Sequence, residues 1–167
     1  MDTTTLVLAI GVAVFVFFLL LVAASKETQL PEEWSYDIIY NEFSPHEFEY
    51  LIAELWEDKG YNTVQSDKGP DGGVDVKASK RGTSMAIEIK QYKKSNSVGD
   101  PVVKKAMGAA QDIGTVHCYV ITSSYFTSQA KKTEENNRNV RLIDGMELID
   151  ELQKSTLKPE DFEEIIS

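Results

Sequence analysis

Two carboxylates and an ammonium lie close together on what the sequence predicts to be neighbouring strands: Asp75 on one, and Glu88-Ile89-Lys90 on the next. Residues i and i+2 of a strand point to the same face, roughly 6.7 Å apart, so we expect Glu88 and Lys90 to project together while Ile87 and Ile89 turn inward. Paired carboxylates can hold a divalent cation, and an ammonium can stabilise developing negative charge. This combination suits metal-assisted cleavage of phosphodiester bonds.

The strands that would carry these side chains are predicted from alternation. Apolar and polar residues alternate over 74–79 and again over 85–90, with a short polar turn between them. Such a pattern is typical of a hairpin with one buried face, so Asp75 and Glu88 are predicted on the polar faces of adjacent strands. A loop rich in glycine, residues 70–73, leads into the first strand and would let backbone approach a phosphate or a metal, or simply make the turn.

Helix start signals lie on both sides of this hairpin. Ser44-Pro45-His46-Glu47 has the residues of a capping box, with proline at the first helical position, and Lys59-Gly60 predicts the end of that helix. Asp100-Pro101 predicts a second helix start by the same logic of an N-cap followed by proline. The remaining elements are predicted as strands at 61–65, 116–122 and 140–143, and as helices at about 127–137 and 145–152. A helix, three strands and then alternating helices and strands predict an α/β domain with a mixed central sheet flanked by helices.

The charge distribution favours a polyanionic partner although the net charge does not. The formal net charge is −10, whereas proteins that bind polyanions are usually basic. Between Lys59 and Lys105, however, lie ten of the 17 basic residues and five acids, so this window carries about +5 and the rest of the chain about −15. Solvated surface lysines are the simpler explanation of such a cluster. The acids that it encloses favour a functional site.

The N-terminal residues 6–24 form an uncharged apolar run with one glycine and no proline. About 19 such residues are long enough to span the hydrocarbon layer of a bilayer. Residues 1–5 lack the basic side chain of a signal peptide, which favours a retained transmembrane helix, although the ending Val22-Ala23-Ala24 leaves cleavage open. Lys26 is the cation nearest the span and favours a cytoplasmic location for the domain that follows. The single cysteine, Cys118, has no disulfide partner, in agreement with a reducing compartment.

These patterns divide the chain into five predicted parts. They are a short tail at 1–5, a transmembrane helix at 6–24, a polar tether at 25–43, a folded domain at 44–155 and a C-terminal extension at 156–167.

Six motifs follow one another along the predicted domain. They are Glu49, Asp71-Gly72-Gly73-Val74-Asp75, Glu88-Ile89-Lys90-Gln91-Tyr92-Lys93, Val120-Ile121-Thr122-Ser123-Ser124, Gln129-Ala130 and Leu142-Ile143-Asp144-Gly145. In this order they resemble the Mrr-like branch of the restriction endonuclease-like nucleases, the PD-(D/E)xK phosphodiesterases. The resemblance covers roughly residues 44–152. It implies an αβββαβ core and Mg²⁺-dependent cleavage of DNA, in the best-known members DNA carrying modified bases, with Mn²⁺ as an alternative metal.

The resemblance also implies roles for individual residues. Asp75 and Glu88 would be metal ligands, Lys90 the catalytic lysine, and Glu49 the helix acid that completes the site. By sequence alone a solvated glutamate is the simpler interpretation of Glu49, and only the resemblance favours a role for it in the site. Many members of this branch have glutamine where this chain has Glu88, which leaves the substrate preference open.

Basic and amide side chains around the site are predicted to contact DNA phosphates. The set is Lys77, Gln91, Lys93, Lys94, Lys104 and Lys105. Contacts of this kind give affinity and salt dependence but no sequence choice. The alternative for the predicted site itself is a cross-strand salt bridge between Lys77 or Lys90 and nearby acids.

Three functional hypotheses follow. The leading one is a membrane-anchored, Mg²⁺-dependent endonuclease that faces the cytoplasm and acts on double-stranded DNA, including modified or foreign DNA. The second is a non-catalytic DNA-tethering module with the same fold. The third takes the transmembrane span as the working part, with the domain as a partner of membrane proteins. Because a double-strand cut usually needs two active sites, a homodimer is an expectation of the first hypothesis.

Overall fold

The computed structural model describes residues 12–17, 32–66 and 74–166. The chain divides into two units, Met1–Leu30 and Pro31–Ser167. In the first unit, residues 12–17 are helical. Among the residues described, no helix is both long enough and apolar enough to cross a membrane. The rest of the predicted span at 6–24, and the predicted loop at 70–73, lie outside the described residues.

The second unit alternates helices and strands along the chain. Its helices are α1 (Pro45–Asp58), α2 (Asp100–Asp112), α3 (Ser128–Asn136) and α4 (Gly145–Lys154). Its strands are β1 (Asn62–Gln65), β2 (Val76–Lys80), β3 (Thr83–Lys90), β4 (Ser97–Val98), β5 (His117–Thr122), β6 (Tyr125–Phe126) and β7 (Val140–Ile143). A π-helical turn at Ile38–Glu42 precedes α1, and a 3₁₀ turn at Pro159–Phe162 follows α4.

Five strands form a mixed central sheet in the order β1-β2-β3-β5-β7. The first three are antiparallel neighbours, whereas β3 and β5 are parallel, as are β5 and β7. The β2–β3 hairpin closes through Arg81 and Gly82, both with positive φ. The predicted mixed sheet flanked by helices is confirmed. A second, two-stranded parallel sheet pairs β4 with β6.

The two predicted helix starts differ in outcome. At α1 the capping box is present: the Ser44 side chain accepts from the Glu47 backbone N–H, and the Glu47 carboxylate accepts from the Ser44 N–H at 2.6 Å. At α2 the N-cap is Gly99, and Asp100 is already the first helical residue. The predicted N-cap at Asp100 is therefore wrong by one residue. Its carboxylate instead accepts from the Thr133 hydroxyl, which joins α2 to α3.

Both faces of the central sheet are buried. Phe48 of α1 packs in one hydrophobic cluster with Ile87 of β3, and Val103 of α2 packs in another with Ala86 of the same strand. Strand β3 is thus covered on two sides, as expected of a strand inside a sheet with helices on both faces. The alternation places Glu88 on the polar face of its strand, but this face is covered in the structure, and Glu88 is only 8% exposed.

The predicted polar tether at 25–43 also differs from the structure. Trp34, Ile38 and Phe43 are buried in the same cluster as α1. The Trp34 indole N–H donates to the Leu157 carbonyl at 3.0 Å, and its ring lies 5.7 Å from that of Phe162. The core of the second unit therefore includes part of the expected tether and part of the expected C-terminal extension.

Candidate active site

Asp75 lies at a bend immediately before β2. Its backbone N–H donates to the Ile87 carbonyl at 3.1 Å, and its carbonyl accepts from Ser66 at 2.9 Å. Its carboxylate Oδ2 accepts from the Ile89 N–H at 2.6 Å. Since Val76 pairs with Ile87 in the antiparallel register, the next position places Asp75 opposite Glu88. Backbone pairing and a side-chain hydrogen bond together hold this acid against β3.

Glu88 and Lys90 lie together on one face of β3, as the alternation predicts. The Lys90 ammonium is 2.5 Å from Glu88 Oε1 and also donates to the Ile89 carbonyl at 3.1 Å. Glu88 is buried, whereas Lys90 is half-buried at the end of the strand. The alternative explanation predicted a salt bridge across two strands, whereas the ion pair of Lys90 runs along β3 to Glu88.

Glu49 approaches the two strands from α1. It is 8% exposed, so the interpretation as a solvated glutamate is wrong. His46, one turn earlier on the helix, places Nδ1 3.7 Å from Glu49 Oε2. The negative charge of Glu49 is one of those that raise the pKa of Asp75. The structure therefore brings together all four predicted catalytic residues, from α1, the bend before β2, and β3.

Burial and charge perturb two groups of this site. Burial first, and then the negative charge of Glu88, raise the pKa of Asp75 from 3.8 to about 6, although the Ile89 N–H and Lys90 oppose the shift. Burial lowers the pKa of Lys90, but the hydrogen bond and charge of Glu88, together with the charge of Asp75, outweigh it and raise that pKa overall. Lys90 therefore stays positive, and the acids around it repel one another. An additional cation would relieve that repulsion.

The donor set of this site fits magnesium. Mg²⁺ usually takes one or two protein carboxylates and completes an octahedron with water and substrate oxygen. The Ile89 N–H contacts one oxygen of Asp75, and the Lys90 ammonium contacts one oxygen of Glu88. Each carboxylate has a second oxygen that could bind a metal ion. Within the described residues, no group of three or more His, Cys, Asp or Glu side chains is arranged to hold a metal ion. The pair thus fits an ion that shares its coordination with water and substrate, not one held by a full protein cage.

The chain beyond Lys90 is fixed by hydroxyl groups at the end of β5. The Thr122 hydroxyl donates to the Lys90 carbonyl at 2.7 Å. The Ser123 hydroxyl donates to the Tyr92 carbonyl at 2.9 Å and accepts from the Tyr92 N–H at 2.8 Å. Sequence reasoning gave these residues no role. The available signal was three consecutive hydroxyl residues at the carboxyl end of a predicted buried strand.

The predicted phosphate-contacting lysines all have exposed positions. Lys77, Lys93 and Lys105 are exposed. Lys104 is exposed too, but its ammonium lies 2.7 Å from Asp100 Oδ2. Lys94 places its ammonium 5.5 Å from the centre of the Tyr36 ring, a cation–π contact.

Gln91 has a different role from the predicted phosphate contact. Its side-chain amide donates to the carbonyls of Phe43 at 2.7 Å and Ile39 at 3.0 Å. These bonds tie the residue after Lys90 to the π-helical turn that precedes α1. A glutamine after a strand gives no sign of such a contact in the sequence, because its partners lie about 50 residues away.

Comparison with solved structures shows proteins of similar fold. AspBHI, a DNA modification-dependent restriction endonuclease, gives a TM-score of 0.61 at 20% identity and covers 77% of this chain and 38% of its own. MspJI restriction endonuclease, in complex with a 27-mer oligonucleotide, gives a TM-score of 0.56 at 19% identity, and the match covers 78% of this chain and 34% of MspJI. AF1548, a protein of unknown function, gives 0.54 at 19% identity and covers 64% and 65%. This chain spans less than two thirds of each of these chains, and at such identities the likeness concerns the fold.

The sequence itself carries the family assignment. No curated protein matches the chain. Residues 40–152, which include Glu49, Asp75, Glu88 and Lys90, match the sequence model of a family, Mrr_cat, described as restriction endonuclease. The match covers more than half of the chain and agrees with the observed mixed sheet. The chain belongs to this restriction endonuclease family, and its folded unit is a restriction endonuclease-like nuclease domain.

Proposed function

We propose that this protein is a Mg²⁺-dependent DNA endonuclease of the PD-(D/E)xK type. The observation that carries the proposal is the burial of Asp75 beside Glu88, with the Lys90 ammonium 2.5 Å from Glu88, in a fold of the restriction endonuclease family. Burying two neighbouring carboxylates costs stability unless their charge is compensated. A protein that needed only a stable fold gains nothing from this arrangement, whereas a metal-assisted hydrolase requires it.

The chain's own residues divide the chemistry between them. Asp75 and Glu88 would hold the metal, which when bound supplies a water of lowered pKa and neutralises charge on the scissile phosphate. Lys90, kept positive by its acidic neighbours, would donate to the phosphate oxygen on which charge develops in the transition state. An ammonium has three donors, so Lys90 can keep Glu88 while it contacts the substrate. Glu49 would add negative potential behind the metal ligands.

DNA is the substrate that the comparisons favour. AspBHI is a DNA modification-dependent restriction endonuclease, and MspJI was solved in complex with an oligonucleotide. We propose that modified or foreign double-stranded DNA is also the substrate of this chain. The exposed lysines would contribute phosphate contacts. The set is Lys77, Lys93, Lys94, Lys104 and Lys105.

A cleavage assay on supercoiled plasmid tests the proposal. The full chain, purified in detergent, should nick or cut modified or unmodified plasmid with Mg²⁺ or Mn²⁺ and not with EDTA. Asp75→Ala and Lys90→Ala should abolish cleavage, because each removes a group of the reaction. Lys132→Ala, an exposed position on α3, is the matched control and should cleave as the wild type does. Full cleavage by both site variants would overturn the assignment.

The alternative is a DNA-tethering module without catalysis. The observation that favours it is the direct contact between Lys90 and Glu88, by which each group already compensates the charge of the other without a metal. Salt-sensitive DNA binding without cleavage under any divalent metal would support this alternative, because phosphate contacts alone give binding of that kind.

The membrane anchor and the dimer belong to the same proposal. We propose that residues 6–24 hold the nuclease domain on the cytoplasmic side of the cell membrane, on the strength of their length and apolar composition. Resistance of the chain to extraction by alkaline carbonate would support anchoring, and complete release would refute it. We further propose that double-strand cleavage uses two copies of the chain. Sedimentation as a monomer in the presence of DNA would refute that proposal.

A further inference from the structure

A cleft of about 110 Å³ opens beside the candidate active site. Its walls come from the chain before α1, the loop after β3, the end of β5 and the first turns of α4. The residues that define its character are Tyr36, Lys94, Ser123, Tyr125, Met146 and Ile149. Two aromatic rings, a thioether and an aliphatic chain make most of its surface apolar, and Lys94 contributes a positive charge.

The cleft is continuous with the strand end that carries Lys90. Lys90 pairs with Thr122 in the parallel register of β3 and β5. The next residue, Ser123, donates its backbone N–H to the Lys90 carbonyl at 3.3 Å and lines the cleft. Lys94, which lies four residues after Lys90, also lines the cleft. The opening therefore lies near the end of β3 that carries Lys90.

The rim of the cleft exposes apolar groups that a folded domain usually covers. Met146 is 72% exposed and Tyr125 is 45% exposed. The carboxylate at this end, Asp144, accepts from the Met146 and Glu147 N–H groups at 3.2 Å and so serves as the N-cap of α4. The Tyr36 ring is stacked on Tyr40 and is contacted by the Lys94 ammonium. The exposed Tyr125 ring and Met146 side chain thus offer the apolar surface for a base, and Lys94 offers a cation for an anion next to it.

We propose that this cleft receives one unstacked nucleobase of the DNA strand bound at the active site, with the adjoining phosphate at Lys94. The inference rests on the proposed nuclease function. Base stacking on aromatic side chains suits such a site because every base has a π-face, and each stacked base contributes measurably to affinity. A base removed from the stack would also fix the position of the strand relative to Lys90.

Binding to paired and bulged DNA tests the proposal without any cleavage. The full chain in EDTA is titrated by fluorescence anisotropy with a labelled duplex and with the same duplex carrying a single-nucleotide bulge. The wild type should bind the bulged duplex about 5- to 100-fold more tightly. Tyr125→Ala and Met146→Ala should lose most of this preference and keep the affinity for paired duplex. Val116→Ala, a control at the opposite end of β5 and 61% exposed, should keep both.

A second readout locates the bound base directly. With 5-iodouracil at the bulge, ultraviolet cross-linking of the wild type should modify Tyr36 or Tyr125, which mass spectrometry of the digested complex identifies. Equal binding of both duplexes by the wild type, an unchanged preference in both cleft variants, or cross-links confined to other surfaces would overturn the inference. Absence of DNA binding altogether would instead overturn the proposed function first, so the two failures are distinguishable.

Discussion

Replacement of Asp75 by asparagine should make the domain more stable at neutral and alkaline pH while it abolishes cleavage. Asp75 is 9% exposed, and burial and the charge of Glu88 raise the pKa of its carboxyl group from 3.8 to about 6. At about 1.4 kcal/mol per pKa unit, this pKa difference corresponds to roughly 3 kcal/mol of folding free energy that is lost when Asp75 ionises in the native state. Asparagine removes the charge, and its side-chain oxygen can still accept from the Ile89 N–H.

The sign of the pH dependence follows from the direction of this shift. Between pH 4 and 6 the native state holds a proton on Asp75 that the unfolded state has lost, so the wild type loses stability as the pH rises. Above about pH 6 both states are ionised, and this group adds no further change. The variant does not titrate there. Its advantage should be small at pH 4 and complete, at roughly 3 kcal/mol, by pH 8.

Urea or thermal unfolding of both proteins in EDTA at pH 4, 6 and 8 measures this difference. About 3 kcal/mol corresponds to a rise on the order of 10 °C in Tm for a domain of this size. Asp112→Asn, at an exposed position on α2, is the matched control and should change stability by less than about 0.5 kcal/mol. Mg²⁺ should raise the Tm of the wild type and not that of the variant. Equal stability of the variant and the wild type at pH 8 would refute the argument that burial and Glu88 destabilise ionised Asp75.

Two further predictions concern the scaffold. Gly145→Ala should lower the free energy of unfolding by about 2 kcal/mol or more, because a Cβ there would overlap the Ser123 carbonyl oxygen. Gly108→Ala on α2 meets no atom within 4 Å and should raise the free energy of unfolding by roughly 0.5–1 kcal/mol. Equal unfolding midpoints of the two variants would contradict this prediction. Lys59 lies 2.5 Å from Glu151 and lowers its pKa, so Glu151→Gln should destabilise the domain at pH 7, and this cost should shrink as the pH falls below the ordinary pKa of a glutamate. A pH-independent difference in urea midpoint would contradict this prediction.

Local sequence patterns predict the elements of this fold because their causes are local. The capping box at Ser44 and Glu47 depends on residues three apart, and the β2–β3 hairpin depends on alternation and a short turn. Both are present as predicted. The burial of Trp34 against Phe162 joins residues 128 positions apart, and no periodicity marks either of them. The expected tether and extension were wrong for that reason.

The same limit applies to the polar face of β3. An acid that alternates with isoleucines predicts a solvated face when only the strand is considered. In the structure, Val103 and Ala106 of α2 belong to the hydrophobic cluster that contains Ala86, two residues before Glu88 on the same strand, and Glu88 is only 8% exposed. The burial of Glu88 and of its ion pair therefore depends on a helix that follows it in the chain. The types and spacing of the acids and Lys90 could be predicted, but not the electrostatic cost that makes them a candidate for catalysis.

A second local rule fails inside the site, at Asp75. Val74 and Val76 are two residues apart, so a continuous strand would direct both to the same face. Instead Val74 packs in the cluster beneath α2 and Val76 in the cluster beneath α1. The side chains before and after Asp75 therefore point to opposite faces of the sheet. This bend in the backbone allows the Asp75 carboxylate to accept from the Ile89 N–H near the end of β3. Departures from local rules are expected where function, and not folding, determines the backbone. The failure of alternation at Asp75 is itself an argument that this acid belongs to the active site.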